Sequence, residues 1–302
     1  MRFVDIEKFI ARRKQLGYSQ FSLSQGICTQ STLSKFENRK QTPALPILER
    51  LCDRLDLTIA ELNEDDPTSI NFASHKLDQI EENLMVENYN DAIINLQQID
   101  YQKLRSNQGR LQYCYLKGMF LAVSDTNDAE AELYFRRILN ELDPKQSTMF
   151  TQLSYLGLGI VADHQHDDET ATLMFNKVQL YVATSLTEGI ADFRTKQIFR
   201  LLTLMFYLAT YLAEHDRLDQ SNKLLDEELD VSSQRHVTYY VTRAKFLQAQ
   251  NSWKLNHDIV KLKSLLSETL IFAKFNRNQV VPKQVAKLLR KLEKKNKVKQ
   301  KS

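Results

Sequence analysis

GICTQSTLSKFENRK, residues 26–40, decides how the rest of the chain is read. Gly26 marks a turn, and the residues after it read as a short helix with two unlike faces. Leu33 and Phe36 lie three apart and share the inward face. Gln30, Ser31, Ser34 and Lys35 gather on the opposite face at a period of about 3.6 residues. Amide, hydroxyl and ammonium groups presented outward together are the chemistry that reads base edges in a DNA major groove. Gln pairs with adenine, Lys with guanine, and Ser with either. Asn38, Arg39 and Lys40 leave the helix where a phosphate backbone would run. A short amphipathic helix of this kind, taken alone, is usually a solvated surface, so its surroundings decide.

The chain has 302 residues, enough for two domains and a large core. Only seven Gly and five Pro argue against a turn-rich β fold, and runs of Leu, Lys, Glu, Gln and Ala favour helices throughout. Net charge is only +3, but it is unevenly placed. Residues 1–40 hold eight Lys/Arg against three Asp/Glu, whereas residues 41–66 hold two against seven. Positive charge thus gathers around the helix described above. Three cysteines without paired spacing (Cys28, Cys52 and Cys114) fit reduced thiols better than a disulfide framework. No signal pattern opens the chain, and the most apolar run, Leu201 to Ala213, is shorter than the ~20 residues of a membrane helix. The expectation is a soluble, cytoplasmic protein.

Five short helices are expected in the first 66 residues. Val4, Ile6, Phe9, Ile10 and Leu16 alternate with charged residues in the first, which Gly17 stops. Ser19 caps a second, carrying Phe21 and Leu23. The third holds Gln30 to Lys35. Thr42-Pro43 opens a fourth with Leu45, Leu48, Leu51 and Leu55, and Thr58 caps a fifth ending at Leu62. Within that frame the third helix reads as the recognition helix of a helix-turn-helix domain. Cys28 reads as a small turn residue, with a redox role as the alternative.

The run Arg12 to Leu62 resembles the phage-repressor (XRE) type of helix-turn-helix domain. The resemblance lies in LGYSQ entering helix two, the TLSKFEN run, the Pro43-x-Leu45 step into helix four, and the LDLTIAEL ending. Its segment from helix two to the turn is one residue shorter than the commonest version, a detail shared with PlcR-type regulators. The resemblance implies that Gln30, Ser31 and Lys35 face bases. It implies phosphate contacts from Ser19, Gln20, Thr29, Asn38, Arg39 and Lys40, and a structural pair between Glu37 and Arg13.

Glu64 to Pro67 reads as a linker, and from about Ile70 to Val281 helices follow in pairs. Tyr155, Leu158, Gly159, Ala171 and Phe175 occupy tetratricopeptide positions, where small residues let two helices cross and aromatics fill the space beside them. Gly118, Ala131 and Phe135 fit with one insertion. The small residues Ala92, Ala131, Ala171 and Ser221 stand 39, 40 and 50 residues apart. Regular repeats are spaced at about 34. Five tetratricopeptide-like hairpins are expected, forming an α-solenoid over residues 67–282. Residues 283–302 carry nine Lys/Arg against one Glu and read as a capping helix to about Leu292 followed by a disordered tail.

An all-α chain with a repressor-type domain followed by degenerate repeats resembles the RRNPP family over nearly its whole length. That resemblance implies a homodimeric regulator of double-stranded DNA at an imperfect palindrome. Its repeats would bind a short signalling peptide (quorum sensing), with no cofactor and no membrane partner. Repeat positions nominate groove-facing residues: Gln112, Tyr115 and Met119; Leu156 and Asp163; Tyr207 and Thr210; Thr238, Lys245 and Gln248. Each is equally a candidate for an ordinary helix surface or core position. A constitutive regulator with a docking array, or an interaction scaffold, is the alternative. No catalytic constellation appears. His164 and His166, flanking Gln165, lie in a turn at a spacing that does not put two imidazoles on one helical face.

Overall fold

The computed structural model describes residues 6–55, 57, 62, 70–104, 106–124 and 126–299, the side chains of 70–72, 90 and 293–299 apart. It is all-α, with no strand among the described residues. The backbone divides into two units, residues 1–78 with 99–109, and residues 79–98 with 110–302. The linker expected at Glu64–Pro67 and the cap expected at Thr58 lie outside the described residues.

The first unit opens with α1 (Ile6–Gln15), α2 (Gln20–Ser24), α3 (Gln30–Glu37) and α4 (Leu45–Arg54). Gly17 and Gly26 take positive φ and supply the two reversals. Phe9, Leu23, Leu33, Phe36, Leu48 and Leu51 form the centre of its core. Phe9 meets Phe36 edge-on at 5.1 Å. Two details differ from expectation. The fourth helix starts at Leu45 rather than at Pro43, and Leu45 and Phe21 are exposed, because only one stripe of each short helix reaches the core.

Five consecutive helix pairs then follow. They are α5 (Ile70–Met85) and α6 (Tyr89–Gln97); α7 (Asn107–Val123) and α8 (Asp128–Arg137); α9 (Met149–His164) and α10 (Asp168–Glu188); α11 (Thr195–Glu214) and α12 (Leu218–Gln234); α13 (Val241–Asn256) and α14 (Ile259–Phe275). The tight turns inside pairs place Glu87, His166, Asp216 and His257 at positive φ. In three of them an amide reaches back five residues, as in Asn88 N to Asn83 O, Asp167 N to Ala162 O and Arg217 N to Leu212 O. These are left-handed helix caps built without glycine. Ala131, Phe135, Ala171, Phe175 and Ser221 are buried, and Ser221 Oγ donates to Ala209 O at 2.7 Å.

Gly159 packs against Phe175 of α10, as expected, with 3.1 Å left for an added Cβ, and Gly157 packs tighter still against α8. A Cβ on Gly157 would run into the Phe135 ring, and one on Gly118 would lie 2.8 Å from the same ring. The closing helix α15 (Val281–Lys299) buries Val281, Val285 and Leu292 against Phe246, Ala249, Leu262 and Leu266. It corrects the tail expected after Leu292. Helix-compatible Glu, Lys, Asn and Val follow to Lys299 with no Gly or Pro to stop propagation.

Candidate nucleic-acid interface and ligand cavity

Local chemistry sets α3. Thr29 caps it, its Oγ1 accepting from Thr32 N at 3.1 Å, and Leu33 and Phe36 seat it in the core. Gln30, Ser31 and Lys35 are consequently exposed on the far side, with Ser34 half-buried. The far end is held by Glu37. Its Oε1 accepts from Arg13 Nε at 2.7 Å, and its Oε2 from Arg13 Nη2 at 3.0 Å and Gln20 Nε2 at 2.7 Å. Arg13 Nη1 also donates to Tyr18 O at 2.7 Å, tying the α1–α2 turn to the same point.

Around the face, Ser19 makes a reciprocal capping box with Ser22, and Asn38 Nδ2 closes α3 on Ser34 O at 2.8 Å. Arg39 has φ 59 and an exposed ion pair to Glu7 at 3.0 Å, a weak hold that leaves the guanidinium accessible. Lys40 is exposed. Ser19, Thr29 and Asn38 thus act as caps, and Gln20 braces Glu37. Arg50 and Arg54 went unnoticed in the sequence. They donate to Gly26 O at 2.8 Å and to Leu23 O at 3.0 Å, pinning the α2–α3 turn through contacts more than 20 positions away. Burial pushes the half-buried Cys28 thiol up, which keeps it protonated.

In the repeat body six of the ten groove nominations, Gln112, Tyr115, Met119, Leu156, Tyr207 and Gln248, are buried. Tyr115, Met119 and Leu156 are fully buried and so belong to the core. Gln112 is buried too, its Nε2 donating to Glu81 Oε2 at 2.7 Å inside a network that Arg200 completes with Glu81 at 2.8 and 3.0 Å. Asp163 takes His215 Nε2 at 3.2 Å, Lys245 pairs with Glu268 at 2.9 Å, and Gln248 donates to Asp226 at 2.7 Å. Thr238 donates to Asn276 at 2.7 Å. The physical reason is coverage. First helices such as α9 and α11 are packed by neighbouring pairs on several sides, so a repeat position does not specify a free face.

Tyr207 and Thr210 do line a cavity of about 430 Å³, together with Glu87, Arg243, Gln250 and residues of α15. Its size suits a small or extended ligand. Arg243 carried no sequence signal, because its partners lie on other helices. No group of His, Cys, Asp and Glu among the described residues is placed to hold a metal ion, and none of those helices is long and apolar enough to cross a membrane.

Comparison with known proteins fits this geometry. Residues 10–62 match the helix-turn-helix family model. No curated protein sequence matches the chain. Among solved structures, Bacillus thuringiensis PlcR in complex with the peptide PapR7 and DNA has a TM-score of 0.58 at 14% identity, covering 94% of this chain and 99% of that one. ComR from S. thermophilus, in complex with DNA and its signalling peptide ComS, has a TM-score of 0.53 at 13% identity, covering 92% and 96%. Residues 10–62 are therefore a DNA-binding helix-turn-helix domain, and the chain as a whole shares the fold of PlcR and ComR.

Proposed function

We propose that this protein is a cytoplasmic transcription regulator of a Gram-positive host, binding DNA as a homodimer and answering to a short signalling peptide held by its repeat body. The observation that carries the reading is the exposed face of α3, where Gln30, Ser31 and Lys35 project from a helix whose other side is locked in the core. These three read bases, and Ser19, Thr29, Asn38, Arg39 and Lys40 follow the phosphates. Two protomers engage an imperfect palindrome whose half-sites lie about 34 Å apart, one helical turn, or a multiple of that. The cavity at Arg243 and the shared fold support the peptide. Occupancy changes operator affinity only through unequal binding to the DNA-competent and incompetent states.

Selection from random duplexes with the full-length protein, then titration with fractionated peptides from the host's culture medium, tests both halves. The expected result is a palindromic consensus whose affinity shifts with one small-peptide fraction. Binding without sequence preference would remove the DNA assignment. A consensus indifferent to every fraction would leave a constitutive regulator whose array serves docking or dimerisation alone.

A further inference from the structure

Arg243 of α13 is buried yet poorly paired. Its Nε lies 3.6 Å from Glu87 Oε1, Nη2 lies 3.4 Å from the Tyr207 hydroxyl, and Nη1 lies 3.5 Å from Met85 O. Charge-assisted hydrogen bonds run shorter, at about 2.7–2.9 Å. Other arginines of the same body reach that range. Arg200 meets Glu81 at 2.8 and 3.0 Å, and Arg235 meets Ile190 O at 2.8 Å. The incomplete pairing shows on the other partner also, because Glu87 Oε2 is buried with no hydrogen bond.

Aromatic faces hold the guanidinium in place. Its carbon stands 4.0 Å from the Phe206 centroid, 5.2 Å from Tyr207 and 5.5 Å from Tyr240. Ring faces satisfy charge but not N–H direction, so the donor edge still wants planar oxygen acceptors. That group lines the cavity of about 430 Å³. Phe246 and Leu288 give the cavity apolar wall, Gln284 adds an amide, and exposed Lys287 and Lys291 of α15 add positive charge. Burial pushes the fully buried Glu228 carboxyl well above its ordinary range, which disfavours its charged form as a partner for Arg243.

We propose that Arg243 is the anchor for a ligand carboxylate, which takes the two-point seat that Glu87 fills poorly while an apolar side chain beside it packs on Phe246 and Leu288. This rests on the reading of the repeat body as a peptide receptor. The carboxylate comes either from the peptide's C-terminus or from an Asp or Glu side chain. Displaced Glu87 sits in the turn that ends α5, so occupancy of the anchor changes the restraint on that turn.

The test is affinity selection with mass-spectrometric readout on the full-length protein, using three heptapeptide pools of matched composition. One has free C-termini and no Asp or Glu, one is the same pool amidated, and one is amidated with a single Asp or Glu. Retention from a carboxylate-bearing pool should exceed the amidated pool by about tenfold or more, and the pool that is retained identifies the source. Arg243→Met should erase the difference. Because that variant leaves Glu87 without its cation, Glu87→Gln serves as the second probe. It keeps the anchor, removes its competitor, and should raise the ratio of carboxylate to amide retention. Equal retention of all three pools would overturn the anchor and leave the peptide receptor standing, as would carboxylate retention that falls in Glu87→Gln. Retention of none would sink both.

Discussion

Arg13 of α1 and Glu37 of α3 meet in a two-point ion pair, 2.7 Å from Nε to Oε1 and 3.0 Å from Nη2 to Oε2, with side chains only 10% and 5% exposed. The pair also gathers Tyr18 O and the Gln20 amide, so one buried junction sets the angle of α3 against α1 and the entry of α2. Removing one member leaves the other charged and desolvated. Glu37→Ala is expected to destabilise the DNA-binding unit by about 3–5 kcal/mol. Circular-dichroism melts combined with limited proteolysis would check it, and an unchanged melting profile would contradict the role given to the pair.

Lys35 and Arg39 should part company in a binding assay. Lys35→Ala removes an exposed donor from the base-reading face, relaxing preference at one operator position at a cost of about 1–3 kcal/mol on the preferred site. Arg39→Ala should weaken all duplexes alike and reduce the slope of log affinity against log salt by about one. Fluorescence anisotropy on the selected site, a single-base variant and a scrambled duplex separates the two. Identical profiles for both variants would count against the assignment.

Gly157→Ala tests the helix crossing. The added Cβ has no room beside Phe135, whose ring also leaves no space for a Cβ at Gly118, so the buried ring or the helices carrying it must shift. A loss of about 1–3 kcal/mol is expected from such overpacking. Thermal denaturation should show it, and Phe135→Leu in the same chain should recover part of the loss by removing the ring.

Glu228 predicts a pH dependence of opposite sign to the common carboxylate case. It is fully buried, both oxygens lack hydrogen bonds, and burial raises its proton affinity against the smaller opposing pull of Arg243. Above its ordinary value of 4.5 the unfolded chain has lost the proton while the folded chain keeps it. Stability therefore falls as pH rises from there towards the elevated folded value. Glu228→Met should flatten that fall and add about 1–3 kcal/mol at neutral pH by removing an unsatisfied buried group. Denaturant midpoints across pH 5–9, with and without the substitution, decide it; parallel curves would refute the assignment.

The two faces of α3, the Ser19 cap of α2 and the pairing of later helices followed from the sequence because each depends on residues within one or two turns of one another. Periodicity and capping are local, and Leu33, Phe36, Gln30 and Lys35 declare their sides without help from the rest of the chain. The small residues Ala131 and Ala171 were legible for the same reason. What lies across the fold was not. Arg200 finds Glu81 across 119 positions, and Phe135 presses on Gly157 from another helix pair. Tyr115, Met119 and Leu156 look like a groove face by spacing, yet neighbouring pairs cover them. The tight turns also concealed themselves, since Glu87, His166 and Asp216 adopt a conformation that ordinarily announces itself with glycine. Sequence by itself determined which residues can turn outward on a short capped helix. Only the tertiary structure decided which buried charges found full partners, leaving Arg243 open to a cavity. Charge satisfaction depends on distances between helices that no local pattern encodes.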